Sequence, residues 1–170
     1  LLASTNGRII LTGVGKSAII GKKIVATMNS TGSPAIFMHA AEALHGDLGI
    51  VQNDDVIIVI SKSGNTQEIK QLVPFLKTTG VKLISITSDK NSFLAINSDF
   101  FINSFIEKEA CPNNLAPTTS TTAQLVIGDA IAICLLEIKG FNKKDFAKYH
   151  PGGSLGKKLN VKVSDLLDLN

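Results

Sequence analysis

Three hydroxyls fall within six residues at Ser61-Lys62-Ser63-Gly64-Asn65-Thr66. The stretch follows an unbroken apolar run, Val56 to Ile60, and precedes a segment with helical spacing. Hydroxyls and free backbone N–H groups converging on a helix N-terminus make an anion site, favoured by the helix dipole. Gly64 lets the backbone approach a ligand, and one monoester phosphate needs neither a lysine nor a metal there. The plainer explanation is that Thr66 caps the helix while Ser63 fills the turn. Capping accounts for one hydroxyl, not three. A second stretch, Gly13-Val14-Gly15-Lys16-Ser17, also lies between an apolar run and a helical pattern. If the first and third strands are neighbours, Ser17 faces the same phosphate as the third loop.

Two larger phosphate ligands fail on spacing. A triphosphate loop has the pattern G-x-x-x-x-G-K-[ST], and Gly15-Lys16-Ser17 fits its end. Its first glycine falls on Ile10, inside the strand. Gly13 to Ala18 satisfies G-x-G-x-x-A, the dinucleotide fingerprint, but that site also needs an acid at the end of the second strand. The strand ends Phe37-Met38-His39, and Glu42 lies beyond it. Glycines that merely let the first helix pack on the sheet remain a simpler account of the motif.

The elements that must position these loops alternate. Arg8–Thr12, Ala35–Met38, Val56–Ser61, Lys82–Thr87 and Phe100–Asn103 read as strands. Lys16–Asn29 and Gln67–Lys77 read as helices, with Pro74 expected to kink the second or end it early. Ala40–His45 reads as a short helix and Gly46–Gly49 as a loop. A long helix is expected from about Thr121 to Lys139, closed by Gly140, and a short one over Lys143–Lys148. Leu1 to Ala3 reads as the last turn of a helix. Strands alternating with helices predict a doubly wound α/β fold, a parallel sheet of five strands covered on both faces. Ligands of such sheets bind beyond the carboxyl ends of the strands, where both loops fall.

Composition narrows the function classes. The chain has 170 residues, 44% of them hydrophobic, and a net charge of +3, a size and balance suited to one globular domain. The lysines form no basic stripe with interleaved aromatics, so nucleic acid is not expected as a partner. Unbroken apolar runs such as Val56 to Ile60 are too short to cross a bilayer, and no membrane partner is expected. Cys111 and Cys134 are isolated, which suggests reduced thiols in a cytoplasmic protein rather than disulfides or a zinc ribbon.

Six motifs occur in order: Gly13-Val-Gly-Lys-Ser17, His45-Gly-Asp-Leu-Gly49, Ser61-Lys-Ser-Gly-Asn-Thr66, Lys108-Glu-Ala-Cys-Pro112, Leu115-Ala-Pro-Thr-Thr-Ser-Thr-Thr122 and His150-Pro-Gly-Gly-Ser-Leu-Gly156. Together they resemble the sugar isomerase (SIS) domain family, in its D-arabinose-5-phosphate isomerase branch. The resemblance covers nearly the whole chain, with the SIS domain expected over residues 1–160. It implies a three-layer αβα sandwich, usually in a dimer of dimers, hence a homotetramer with shared active sites. It implies a pentose 5-phosphate substrate, with D-ribulose 5-phosphate and D-arabinose 5-phosphate interconverted for 3-deoxy-manno-octulosonate synthesis in lipopolysaccharide or capsule formation. Val163-Ser-Asp-Leu-Leu167, within the tail 161–170, resembles the start of a CBS region.

Aldose–ketose isomerisation needs ring opening, a proton moved between C1 and C2, and a stabilised enediolate, with no redox cofactor. Glu68, one turn into the third-loop helix, is by resemblance an active-site carboxylate; alone it would read as an exposed helix residue pairing with Lys70 or Gln71. Glu109 alone would read as a solvated loop acid, and family position makes it the better general-base candidate of the two glutamates. Lys16 opens the first helix, where a cation opposes the dipole. The resemblance gives it substrate binding and enediolate stabilisation, against a solvated lysine beside the turn. The resemblance makes His150 an acid–base residue reaching a neighbouring subunit's site, and places His45 near the substrate. His45 could also ligate an adventitious metal, although no second ligand is spaced for a deliberate site. His39 reads as structural. Thr118 to Thr122 either line the sugar pocket or cap the long helix. With these, Gly15, Ser17, Ser61, Ser63, Gly64 and Thr66 complete the expected substrate site. A SIS sensor domain that holds a phosphosugar without turnover is the main rival, and an NAD-binding domain the second.

Overall fold

The computed structural model describes residues 1–153, which places Ser154 to Gly156 of the last motif, the 160/161 boundary and the CBS-like tail outside the described residues. Five parallel strands form one sheet: β1 (Ile9–Gly13), β2 (Ala35–His39), β3 (Val56–Ile60), β4 (Lys82–Thr87) and β5 (Phe100–Asn103), in the order β2-β1-β3-β4-β5. The helices are α1 (Gly15–Ser30), α2 (Ala40–Ala43), α3 (Gln67–Thr78), α4 (Phe93–Ile96), α5 (Thr119–Ile138) and α6 (Lys143–Tyr149). A 3-10 turn, Asp47–Ile50, occupies part of the expected loop. Leu2 to Ser4 make a turn rather than a helix.

Strand alternation divides the core. Ile10, Ile57, Val59 and Leu83 point to one face and pack with Ile69, Leu72, Val73 and Leu76 of α3. Ile9, Leu11, Ile58, Ile60 and Ile84 point to the other and pack with Ile24 and Met28 of α1 and Ala132 and Leu135 of α5. Every residue of β3 is buried, as a central strand covered on both faces requires. At the amino-terminal edge the Arg8 guanidinium pairs with Asp55 at 2.8 Å, and Asp55 also accepts the Arg8 N–H at 2.7 Å.

Two expectations need correction. α3 runs through Pro74 without ending there. Pro74 and Lys70 both lie on the exposed face, where the carbonyl that loses its partner is not committed to a dry core, and the buried stripe Ile69-Leu72-Val73-Leu76 holds the helix. α5 is a 20-residue helix long and apolar enough, by length and composition, to cross a bilayer, with mean hydropathy 1.6, which a search for unbroken apolar runs misses. One face packs on α1, where Gly128 admits the Ile24 side chain to close contact. The other leaves Val126 and Ile133 at 61% and 54% exposure, and Ile138 at the helix end is 69% exposed.

Candidate functional site

Gly13 and Ile60 lie abreast in the sheet, so the loops after β1 and β3 emerge side by side. This is the point at which strand order reverses, the usual binding crevice of such a sheet. A cavity of about 300 Å³ opens there. Val14, Lys16 and Ser17 line it from the first loop, Ser61, Lys62, Ser63 and Thr66 from the third, and Pro117, Ser120 and Thr121 from the start of α5. Its size is at the lower end for small-molecule sites. It suits one phosphosugar better than a dinucleotide.

The third loop is bonded to itself. Ser61, 4% exposed, has its Oγ 2.9 Å from Thr66 Oγ1 and accepts from the Gly64 N–H at 3.2 Å. Thr66 occupies the N-cap position of α3 but makes no side-chain capping bond, so capping does not explain its hydroxyl. Ser63 Oγ accepts from the Asn65 N–H at 3.2 Å, which leaves its own proton to donate. The first N–H groups of α3 have no intrahelical partner, an arrangement that favours negative charge beside the loop. Gly64 has φ +63, and a Cβ there would collide with Ser92 and with Thr87 Oγ1. Gly15 opens α1 with φ +57.

Glu109 is not a solvated loop acid. It is 2% exposed and accepts five hydrogen bonds. Oε1 receives Lys62 Nζ at 2.8 Å and Ser120 Oγ at 2.5 Å. Oε2 receives the Thr118 N–H at 2.8 Å, the Ser120 N–H at 3.1 Å and Thr118 Oγ1 at 3.3 Å. Burial opposes its charge, but these donors outweigh burial and hold the carboxyl far below the usual carboxylate range. Glu109 thereby supplies the cap that α5 takes from no side chain of its own Thr118. Thr118 is occupied with Glu109 and with the Ala110 N–H at 3.0 Å. Of the hydroxyls whose role was open, Ser120 and Thr121 line the cavity and Thr118 does not.

Lys16, Ser17, Ser61, Ser63 and Thr66 are thus brought together, with Gly15 and Gly64 shaping their loops. Glu109 stands behind the wall, in contact with Lys62 and Ser120. Glu68 is half-buried in the first turn of α3, makes no hydrogen bond or ion pair among the described residues, and is not on the cavity wall. His45 is exposed after α2 and does not line the cavity. His39 Nδ1 accepts the Ala41 N–H at 3.3 Å and caps α2. His150 stacks on Phe146, ring centroids 3.8 Å apart, with Nδ1 2.9 Å from the Phe146 carbonyl oxygen. Its helix is anchored at the amino-terminal end of β2, where Phe141 packs on Gly32 and Lys139 Nζ donates to Ser33 Oγ at 3.1 Å. That is the end of the sheet opposite the cavity. Among the described residues no three His, Cys, Asp or Glu side chains converge as a metal site. Sequence reasoning missed Lys62 and Gln124, whose Oε1 accepts from Ser17 Oγ at 3.1 Å. Lys62 lay inside the hydroxyl motif, and nothing local marks Gln124.

The SIS domain family model matches residues 1–134. A Haemophilus influenzae protein named probable arabinose 5-phosphate isomerase is 50% identical over 165 residues, 97% of this chain and 49% of that protein. The Francisella tularensis arabinose 5-phosphate isomerase KdsD is 54% identical over 160 residues, 94% of this chain and 49% of that protein. The chain spans about half the length of these curated relatives. A solved Escherichia coli CFT073 structure in complex with arabinose 5-phosphate superimposes with TM-score 0.86 at 49% identity, covering 88% of this chain and 80% of that one.

Proposed function

Since this chain belongs to the SIS domain family, we propose that it interconverts D-ribulose 5-phosphate and D-arabinose 5-phosphate. The observation that carries this is the small cavity at the carboxyl ends of β1 and β3, with hydroxyls on three walls and two lysines at its edge. Relatives near 50% identity named arabinose 5-phosphate isomerase support the choice of pentose.

The phosphate rests between the third loop and the N-termini of α1 and α3, bound by Ser61, Ser63, Thr66 and Ser17. The sugar extends toward Lys16. A carboxylate removes the C2 proton of the open-chain aldose, an enediolate forms across C1 and C2, and the proton is delivered to C1. Lys16 and Lys62 stabilise the oxyanion. Glu109 has both oxygens occupied, so the base falls to Glu68, whose carboxylate has no partner among the described residues. His150 opens the sugar ring in a neighbouring subunit's site, since its own cavity lies at the other end of the sheet. A homotetramer fits that geometry, and the exposed apolar side of α5 is the surface it buries. The product supplies 3-deoxy-manno-octulosonate synthesis. The enzyme works in the cytoplasm, where thiols such as Cys111 and Cys134 stay reduced.

Incubation of purified protein with D-ribulose 5-phosphate is expected to give D-arabinose 5-phosphate without added metal or nucleotide. A folded oligomer that binds the sugar phosphate but does not turn it over would identify a sensor domain and overturn the enzyme.

A further inference from the structure

The buried stripe of α5 is Ser120, Gln124, Gly128, Ala132 and Leu135. Gln124 is the one long polar side chain in it and is 1% exposed. Its Oε1 accepts from Ser17 Oγ, and among the described residues its Nε2 has no partner. A buried amide nitrogen without an acceptor is costly. Methionine would fill the same volume without that cost, so the amide needs a reason.

Ser17 supplies one. It stands on the cavity wall next to Lys16, and its hydroxyl has a single proton. While that proton is given to Gln124, Ser17 presents only lone pairs to the cavity, which repel an anion. The amide has a second orientation of the same shape, with oxygen and nitrogen exchanged. Nε2 then donates to Ser17 Oγ and the Ser17 proton turns into the cavity. The group left alone becomes a carbonyl oxygen, which is tolerated better than a lone N–H.

We infer that Gln124 is a positioning residue: in the ligand-bound protein its Nε2 donates to Ser17 Oγ and aims the Ser17 proton at the phosphate of the sugar. This rests on the phosphosugar reading above. Gln124 itself does not touch the ligand and acts only through Ser17.

Calorimetric titration with D-arabinose 5-phosphate and with inorganic phosphate tests it. Gln124→Met is expected to weaken both about three- to tenfold. Ser17→Ala weakens them comparably, and Gln124→Met adds nothing further in the Ser17→Ala background. In Gln124→Glu the affinity, relative to wild type at each pH, falls as pH rises, because an ionised carboxylate only accepts. Wild-type affinity in Gln124→Met overturns the inference, as does a loss undiminished when Ser17 is already alanine. Should Gln124→Met not fold, the pH dependence of Gln124→Glu decides. Turnover by the wild type is measured separately: its absence sinks the isomerase and leaves the Gln124–Ser17 coupling to be read from affinity alone.

Discussion

Replacing Glu109 with glutamine distinguishes a base from a brace. The variant keeps the side chain's shape and one oxygen, and its new N–H₂ faces donors on whichever side it lies. Either the Lys62 and Ser120 Oγ side or the Thr118 and Ser120 N–H side loses its acceptor. A hydrogen bond to a charged group contributes about 1.5–3 kcal/mol, and an orphaned buried donor costs about 1–3 kcal/mol. The Lys62 side chain is 46% exposed and re-solvates, so the broken ion pair adds little. Glu109→Gln should therefore lose about 3 kcal/mol, lowering Tm by roughly 6–12 °C for a chain of this size. A general base removed from a folded enzyme costs about 10²–10⁴ in rate. A brace removed should cost stability and KM, with kcat within about tenfold of wild type. The folded-state pKa of Glu109 lies below its unfolded value, near 4.3. Its contribution is therefore complete above about pH 5 and is withdrawn as pH falls toward the folded pKa. Urea unfolding between about pH 5 and pH 3 should show a shallower loss in Glu109→Gln than in wild type. An unchanged Tm together with a kcat loss above about a hundredfold would refute the bracing role and restore Glu109 as the base.

Replacing both Ser61 and Ser63 with alanine should weaken D-arabinose 5-phosphate at least about tenfold in a calorimetric titration; unchanged affinity moves the phosphate elsewhere. Gly64→Ala puts a Cβ against Thr87 and Ser92 at positive φ, and should lower urea stability by about 2 kcal/mol. Equal midpoints would show that the loop relaxes without strain. Lys16→Ala and His150→Ala should each be inactive, yet co-refolded together they should regain about a quarter of wild-type activity if each site joins two subunits. No regain would return His150 to its own subunit or remove it from the chemistry.

Legibility in the sequence followed the range of the interactions. Strand β3 could be read because an all-apolar run of Val and Ile is sufficient evidence of a buried strand, and β4 and β5 fall where their β-branched and aromatic runs end. The SKSGNT loop could be read because its hydroxyls bond one another across five residues. α4 was missed because four residues carry no period, and only the Ser92 cap, accepting the Ala95 N–H at 3.3 Å, marks it. Pro74 misled because propensity does not say which face a residue occupies. Gln124 and Ser17 are 107 residues apart, beyond any local pattern.

The same distance hid what Glu109 does, and there the difference is one of kind. Alone among Glu107 and Lys108 it reads as solvated, since nothing nearby in sequence offers it a partner. Its donors come from Lys62, 47 residues before it, and from Ser120, 11 after it. Family position could mark it as important without separating a proton acceptor from a brace, because both demand a carboxylate. Donor count is what favours the proposed brace: a base offers an oxygen to substrate, and both Glu109 oxygens already accept hydrogen bonds. A buried carboxylate beside an anion site would repel the phosphate if bare. Surrounded by Lys62, two backbone N–H groups and two hydroxyls, it instead anchors the cation and the α5 N-terminus at the cavity edge. In the proposed site the phosphate is then left to α1 and α3, whose N-termini carry the hydroxyl loops.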